Sequence, residues 1–142
     1  MRIHDILSNK GFDVIHIPPG ATVLELVELL REHNLGAVVV SSDGTTIGGI
    51  VSERDVIRRL SEGTEFLSQP VASIMTSDVH TCVPEDTVES LMSAMTDRRI
   101  RHLPVLNRDH ELTGIVSIGD LVKSQIAQLQ FERDQLEGYV SG

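Results

Sequence analysis

The sequence predicts a mixed α/β (α+β) fold made of two similar β-α-β-β-α repeats and a C-terminal helix. The first observation behind this prediction is a duplicated string, Gly-Ile-Val-Ser-x-x-Asp, at residues 49–55 and again at residues 114–120. The second is that the two halves align without a gap from Asp13 onward, at the same offset of 65 residues. A unit of about 65 residues is marginal alone, so we expect the repeats to pack as one body. We place repeat 1 at residues 1–65, repeat 2 at residues 66–125 and a helical extension at residues 126–142.

Composition narrows the class of protein to a soluble globular one. The chain has 142 residues, a net charge of −9 and 40% hydrophobic residues, so it can bury a core. The negative net charge argues against the basic stripes of a nucleic-acid surface, and 3% aromatic residues argue against its stacking platforms. A small nucleotide, in contrast, needs only a few local cations. The single cysteine, Cys82, precludes an intrachain disulfide and favours a reducing compartment. We find no signal peptide and no membrane-spanning run, and we expect a cytoplasmic protein with no membrane partner.

Each repeat opens with a small apolar helix. Ile3, Ile6 and Leu7 have one-face helical spacing and predict a helix that ends near residues 8–11. Residues 71–76 repeat this pattern after a proline, which suits a helix start.

A short strand and an amphipathic helix follow in each repeat. The strands lie at residues 14–17 and 79–83, and each is stopped by proline. Thr22 and Thr87 are placed as N-caps of helices with wide apolar faces. We expect the first of these helices to end in the glycine-containing turn at residues 33–36.

A hairpin completes the strands of each repeat. The apolar run at residues 37–40 is typical of a strand covered on both faces, and residues 47–51 form its partner. In the second repeat the hairpin strands are residues 102–106 and 112–116. Pro104 inside the first of these predicts an edge or a bulge, where backbone atoms are freed from the ladder.

The duplicated string forms a strand-to-helix elbow: the first elbow is residues 49–55 and the second elbow is residues 114–120. Ser52 and Ser117 stand where a helix N-cap is wanted, and Asp55 and Asp120 follow three residues later as in a capping box. One interpretation is that these residues only cap helices. The other is that the helix start binds phosphate while the carboxylate binds a ribose diol, and the duplication favours this ligand interpretation.

Two segments lie outside the repeat pattern. Residues 61–69, rich in Ser, Glu and Gly, are the only plausible linker. The stretch from Leu121 to Tyr139 predicts one long helix, with an apolar stripe that its own repeat cannot cover. We predict that this stripe is a homodimer interface, the alternative being that the helix packs back across the two repeats. The stripe comprises Val122, Ile126, Leu129, Leu136 and Val140.

The order of these motifs resembles a tandem pair of cystathionine-β-synthase-type (CBS) domains, also called a Bateman module. The resemblance rests on the two elbows, on the segment Arg-His-Leu-Pro-Val at residues 101–105 and on the duplication itself, and it covers residues 3 to about 124. The chain is also similar to small stand-alone bacterial members of the family. The resemblance implies a pseudo-twofold sandwich with two clefts. It also implies an adenosine-containing ligand such as AMP, ADP, ATP, NAD or S-adenosylmethionine.

The resemblance also implies the site residues. Asp55 and Asp120 would hold ribose hydroxyls, and Ser52 and Ser117 would hold phosphate. The other implied residues lie near the adenine or reach toward phosphate: His16, His80, Thr81, Pro104, Arg54, Arg101 and His102.

The two predicted clefts are unequal in charge. Arg101 and His102 match an uncharged Gly-Ala pair at residues 36–37, and Arg54 matches Gly119. We therefore expect the first elbow to form the better nucleotide site, served by Arg101 and His102 of the other repeat.

Catalysis is disfavoured. The six histidines do not form a metal-ligand spacing with Cys82 or with carboxylates, and there is no P-loop and no dinucleotide fingerprint. His80 and Cys82 share a strand face but supply only two ligands. We predict a regulatory nucleotide sensor that requires no cofactor, is not an enzyme and has no nucleic-acid partner. The alternatives are an S-adenosylmethionine binder and a ligand-independent dimeric interaction module. An unidentified effector protein is a further expected partner, which would respond to the geometry of the dimer.

Overall fold

The computed structural model describes residues 1–141. Over that range it confirms the mixed α+β fold of two repeats with a C-terminal helix. The helices are α1 (Ile3–Lys10), α2 (Val23–His33), α3 (Glu53–Leu60), α4 (Val88–Arg98) and α5 (Ile118–Ser141); the strands are β1 (His16–Ile17), β2 (Ala37–Val40), β3 (Gly49–Ser52), β4 (His102–Leu106) and β5 (Leu112–Ser117).

The two repeats differ in their first strand. In repeat 1, β1 pairs in parallel with β2, and β2 pairs antiparallel with β3. In repeat 2, β4 and β5 form the antiparallel hairpin, and the predicted strand at 79–83 is reduced to a single parallel bridge from Cys82 to Val105. Pro104 explains why the parallel pairing is limited to this bridge. A proline has no N–H to donate to a carbonyl of residues 79–83, so the ladder does not continue past Cys82. The predicted irregularity is present as a register shift between Val105 and Leu106.

Helices α2 and α4, which occupy equivalent positions in the two repeats, begin and end in the same way. The hydroxyls of Thr22 and Thr87 accept hydrogen bonds from the third backbone amide of α2 and α4, as expected of N-caps. Each helix then ends at a left-handed residue, Asn34 with φ 53° and Arg99 with φ 55°. The turn after α2 therefore uses Asn34, rather than the glycine two residues later, to stop the helix.

The opening segments of the repeats are exchanged. Helix α1 packs in the core of repeat 2, where a Cβ at Gly114 would lie 2.7 Å from Leu7. The opening segment of repeat 2, residues 71–76, packs in turn in the core of repeat 1. A Cβ at Gly49 would lie 2.6 Å from Met75 of this segment and 2.8 Å from the carbonyl oxygen of Thr76. Each elbow therefore begins with a glycine because a segment of the other repeat crosses directly over it.

Two predicted segments have a different form. Residues 71–76 were predicted to be helical, but only Val71–Ser73 forms a single 3₁₀ turn, after Pro70. Residues 61–69 are not a free linker, because Glu65–Ser68 is a 3₁₀ turn that buries Phe66 in the core of repeat 1. A fixed connection of this kind ties the two repeats together.

Helix α5 starts in the core and then leaves it. Leu121 is fully buried in the core of repeat 2, whereas Ile126 is 50% exposed and Leu136 is 65% exposed. The alternative that the helix packs back across both repeats is therefore wrong. Among the described residues, no helix has the length and apolar character needed to cross a membrane.

Candidate functional site

The first elbow is a complete capping box. The Ser52 hydroxyl oxygen accepts a hydrogen bond from the Asp55 amide at 3.4 Å, and the Asp55 carboxylate accepts from the Ser52 amide at 2.8 Å and from the Ser52 hydroxyl at 3.1 Å. Within residues 1–141, both bonds to the carboxylate use the same oxygen, Oδ2. Asp55 thus caps α3 and still has its Oδ1 atom available for another donor.

The second elbow has the same capping box and an additional cation. The Asp120 carboxylate accepts from the Ser117 amide at 2.9 Å and from the Lys10 ammonium at 2.7 Å. The same ammonium donates to the carbonyl oxygen of Ile115 at 2.9 Å. Burial raises the pKa of Asp120, but the hydrogen bonds from Lys10 and Ser117 outweigh it and hold the pKa below its ordinary value. The carboxylate of the second elbow is therefore neutralised from within the protein.

A cavity of about 720 Å³ lies between the first elbow and the end of α4. We call it the first-elbow cavity. It brings together six of the predicted residues from the two repeats: Ser52, Arg54, Asp55, His80, Arg101 and His102. Its size is in the range of small-molecule sites.

The first-elbow cavity is basic in an acidic chain. Five arginines line it, against the three carboxylates of Glu53, Asp55 and Asp78. Among the ion pairs of the described residues, none involves these arginines. Unpaired guanidinium groups on a concave surface favour a ligand with phosphate groups, which they can bind bidentately. The five are Arg54, Arg58, Arg98, Arg99 and Arg101.

His102 lies between the two elbows. A Cβ at Gly36 would lie 3.5 Å from its ring and 3.7 Å from the carboxylate of Glu53. Burial lowers the pKa of His102, and the charges of Lys10 and Arg101 lower it further. The imidazole is therefore neutral at neutral pH and can accept or donate a hydrogen bond in the cavity.

Five predicted residues lie outside the first-elbow cavity. His16 packs its ring against Gly44, Thr81 is exposed, and Pro104 is buried in β4. Ser117 and Asp120 form the second elbow with Lys10. The structure thus gathers six predicted residues from both repeats at the first elbow and leaves these five outside that cavity.

Several residues at the two elbows were not predicted. Thr76 and Asp78 line the first-elbow cavity because the exchanged segment crosses β3, where Thr76 and Ile50 exchange two backbone hydrogen bonds of 2.9 Å. Lys10 reaches the second elbow because α1 crosses in the same way. No local signal in the sequence announces a contact between residues 110 positions apart. Arg58, which was not among the predicted site residues, also lines the cavity.

Cys82 does not supply a nucleophile. It is buried in the core of repeat 2, and burial, helped by the charge of Asp86, raises the pKa of its thiol to about 12. A thiol with this pKa is protonated at neutral pH and inert. His80, in contrast, lines the first-elbow cavity. Its Nε2 atom lies 3.0 Å from the Nη1 atom of Arg98.

The fold and the elbows define a tandem CBS-domain protein. The family model for the CBS domain matches residues 3–62 and again residues 71–127, and the chain belongs to this family. A mitochondrial CBS domain-containing protein of Arabidopsis thaliana is 35% identical to it, over 99% of this chain and 72% of that protein.

Solved structures show the same fold. The CBS-domain containing protein of Agrobacterium tumefaciens is 37% identical, covers 88% of this chain and 99% of its own, and superposes with a TM-score of 0.84. A CBS domain protein of Pyrobaculum aerophilum, complexed with AMP, is 28% identical over 84% of this chain and 89% of its own, with a TM-score of 0.76.

Proposed function

We propose that this chain is a non-catalytic regulatory module that binds an adenosine-containing nucleotide in the first-elbow cavity. The observation that carries the proposal is the juxtaposition of the Asp55 carboxylate with five arginines that have no ion-pair partner among the described residues. A carboxylate that accepts from a diol, placed beside unpaired cations, is the complement of a ribose phosphate.

Each residue of the cavity has a role in this proposal. The free Oδ1 atom of Asp55 accepts hydrogen bonds from the ribose hydroxyls, and the start of α3 at Ser52 faces the phosphate. Arg54 and Arg101 neutralise the phosphate charge from opposite repeats, and neutral His102 adds a hydrogen bond.

The adenosine class includes ligands of different size. AMP is the smallest candidate, and the AMP complex of the Pyrobaculum aerophilum relative supports it. ADP and ATP share its adenosine and add negative charge, and NAD joins the same adenosine to a diphosphate bridge; the arginines can neutralise the phosphates of all three. S-adenosylmethionine shares the adenosine but has no phosphate, so this cavity suits it less well.

Signalling requires that ligand binding favours one geometry of the protein. The cavity has walls from both repeats, so a ligand bound there would draw the first elbow toward residues 98–102. This changes an output only if the two geometries bind ligand unequally, and a separate effector protein would read the difference.

The test is a melting-temperature panel with AMP, ADP, ATP, NAD and S-adenosylmethionine on three proteins: wild type, Asp55→Asn and Asp120→Asn. The two substitutions change equivalent members of two capping boxes, so they form a matched pair. A nucleotide at a hundred times its Kd should add about 2.7 kcal/mol to the free energy of unfolding of the wild type. We expect Asp55→Asn to lose this gain and Asp120→Asn to keep it. A flat panel with well-folded wild type would refute the proposal and favour the ligand-independent interaction module.

We also propose a homodimer through the outer part of α5. The stripe residues from Ile126 onward are at least half exposed, and Leu129 and Leu136 lie at its centre. A stripe of this kind on a helix is stabilised by a second copy. Light scattering should show a dimer for wild type and for the exposed-face control Gln130→Glu, and a monomer for Leu129→Glu/Leu136→Glu. A wild-type monomer would refute this part.

A further inference from the structure

The apolar stripe of α5 follows the spacing of a coiled coil. Its residues stand at positions 122, 126, 129, 136 and 140, and Arg133 fills the position that completes alternating intervals of four and three. Such intervals average 3.5 residues, so the six positions form one continuous line along a helix that can pair with another. We call these six positions the α5 seam; all of them lie within Ile118–Ser141.

The outer part of α5 stands away from the body of the protein. Every residue from 129 to 140 is exposed, on all sides of the helix. Isolated helices of about this length are marginal in water, and Gly138 weakens this one further. The start of α5 is fixed, because Leu121 is fully buried and the Ile118 amide donates a hydrogen bond of 2.8 Å to the Arg101 carbonyl oxygen. A partner helix would therefore stabilise the outer part, and the fixed start reduces the entropic cost of pairing.

Arg133 argues against a parallel pair of α5 helices. In a parallel coiled coil each seam residue faces the same residue of the second copy, so two Arg133 guanidinium groups would meet inside the seam. The positions beside the seam add further like charges, because Glu132 would face Glu137 of the partner on both sides. Like charges that meet in an interface oppose association.

An antiparallel pair removes the conflict inside the seam. The seam is symmetric about residue 131, so a reversed second helix places 122 opposite 140, 126 opposite 136 and 129 opposite 133. Arg133 then lies against Leu129 of the partner instead of another arginine. The aliphatic stem of an arginine can pack on a leucine while its guanidinium stays in water.

The charges beside the seam complement one another in this antiparallel arrangement. Lys123 faces Glu137 of the partner, and the twofold symmetry gives two such pairs. The two Glu132 side chains meet at the twofold axis, next to both Arg133 guanidinium groups, which can neutralise them. Arg133 is 64% exposed and contacts Asp134 at 3.4 Å and Glu137 at 4.0 Å on the surface of its own helix, so it can turn toward a partner.

We propose that α5 pairs with α5 of a second copy as an antiparallel coiled coil, with Ile126 against Leu136 of the partner, and that Arg133 sets this orientation. This inference rests on the homodimer proposed above and specifies its geometry. The paired length from 122 to 140 is about 27 Å, so the bodies of the two copies lie at opposite ends of the helix pair. Their first-elbow cavities then face separate regions of solvent.

Cysteine cross-linking tests the orientation. Ile126→Cys and Leu136→Cys change exposed seam positions, whereas the native Cys82 thiol is 4% exposed and should give no background in wild type. Oxidised separately, neither variant should cross-link. Mixed under reducing conditions and then oxidised, they should form a disulfide that joins one copy of each, identified by intact mass. Ala127→Cys, exposed on the far side of α5, should not cross-link alone or in either mixture.

Glu137→Lys gives effects of opposite sign in the two orientations. In the antiparallel pair the new ammonium meets Lys123 of the partner, and we expect the Kd of the dimer to rise about fivefold or more. In a parallel pair it would meet Glu132 of the partner, and the Kd would fall. Asp134→Lys makes the same change of net charge on the far side of the helix and should leave the Kd within about twofold in sedimentation equilibrium.

The outcomes separate this inference from the homodimer itself. If the wild type is a monomer, both fail. If it is a dimer in which each cysteine variant cross-links alone, or in which Glu137→Lys lowers the Kd, the antiparallel pair is wrong and the homodimer through α5 stands. If it is a dimer and neither the separate variants nor their mixture cross-link, the interface lies elsewhere and both fail. None of these outcomes bears on the proposed nucleotide site.

Discussion

Replacing Lys10 by methionine should destabilise the protein at neutral pH although α1 keeps its apolar face. The ammonium donates to the Asp120 carboxylate at 2.7 Å and to the Ile115 carbonyl at 2.9 Å. The two charged side chains are 39% and 27% exposed, so solvent screens the pair and it does not count as a buried ion pair. A screened pair contributes about 0–1 kcal/mol and a hydrogen bond to a charged group up to about 1.5–3 kcal/mol. We expect a loss of about 1–2 kcal/mol, or roughly 3–8 °C in Tm.

The effect of this substitution should depend on pH with a defined sign. The pKa of Asp120 is lower in the folded protein than the value of 3.8 of an unperturbed aspartate. A carboxyl group with a depressed pKa contributes its full stability above the unfolded value, and this contribution is lost as the pH falls through the folded pKa. The difference between wild type and Lys10→Met should therefore be constant from pH 7 to 5 and shrink below about pH 4.

Urea unfolding at pH 7, 5, 4 and 3 measures this difference directly. Lys123→Met is the matched control, because Lys123 is exposed on α5 and has no ion pair among the described residues. Equal stability of Lys10→Met and wild type at pH 7 would refute the reasoning. So would a loss that is the same at pH 3 as at pH 7, since the unfolded chain takes up a proton below its pKa of 3.8 and the contribution of the ion pair must already have decreased by pH 3.

Three further predictions concern packing and titration. Gly49→Ala should cost about 1–3 kcal/mol in urea unfolding, because its Cβ would lie 2.8 Å from a backbone oxygen of the exchanged segment, whereas Gly20→Ala meets no atom within 4 Å and should be neutral. Phe66→Ala should cost about 3–5 kcal/mol because the side chain is 6% exposed, against well under 1 kcal/mol for Phe12→Ala at 48% exposure. Burial holds the pKa of His102 below 6.5, so as the pH falls the unfolded chain binds a proton before the folded protein does. The free energy of unfolding should therefore decrease below about pH 6.5. NMR titration of the imidazole and unfolding of His102→Gln check the sign.

The sequence was sufficient for features that depend on local chemistry. Thr22 and Thr87 could be identified as caps because a hydroxyl before an apolar helix has one favourable place to bond. The two elbows could be found because a Ser and an Asp three residues apart form a capping box wherever a helix starts, and the duplication made them visible. Pro104 predicted a disturbed ladder, because a missing N–H has the same effect in any strand.

Features that depend on chain crossing were not predictable in the same way. The exchange of α1 and residues 71–76 between repeats requires tertiary packing, and their apolar residues would suit either core. Lys10 therefore gave no sign of its contact with Asp120, and Asp78 gave none of its place in the first-elbow cavity. Phe66 was hidden in a polar segment, where a single aromatic residue does not reveal whether it is buried.

The exchange of these segments also explains why two similar repeats form two different elbows. At the first elbow the crossing segment satisfies Ile50 with backbone atoms of Thr76, and Asp55 keeps one free oxygen. At the second elbow the equivalent carbonyl oxygen, that of Ile115, accepts a hydrogen bond from the Lys10 ammonium. The same ammonium also donates to the carboxylate of Asp120. A single lysine thus places the carboxylate of one of two equivalent elbows in an internal ion pair, although its Oδ1 atom, like that of Asp55, accepts no hydrogen bond among the described residues. With the five arginines gathered at the other elbow, the duplicated fold concentrates positive charge without an ion-pair partner among the described residues at one place.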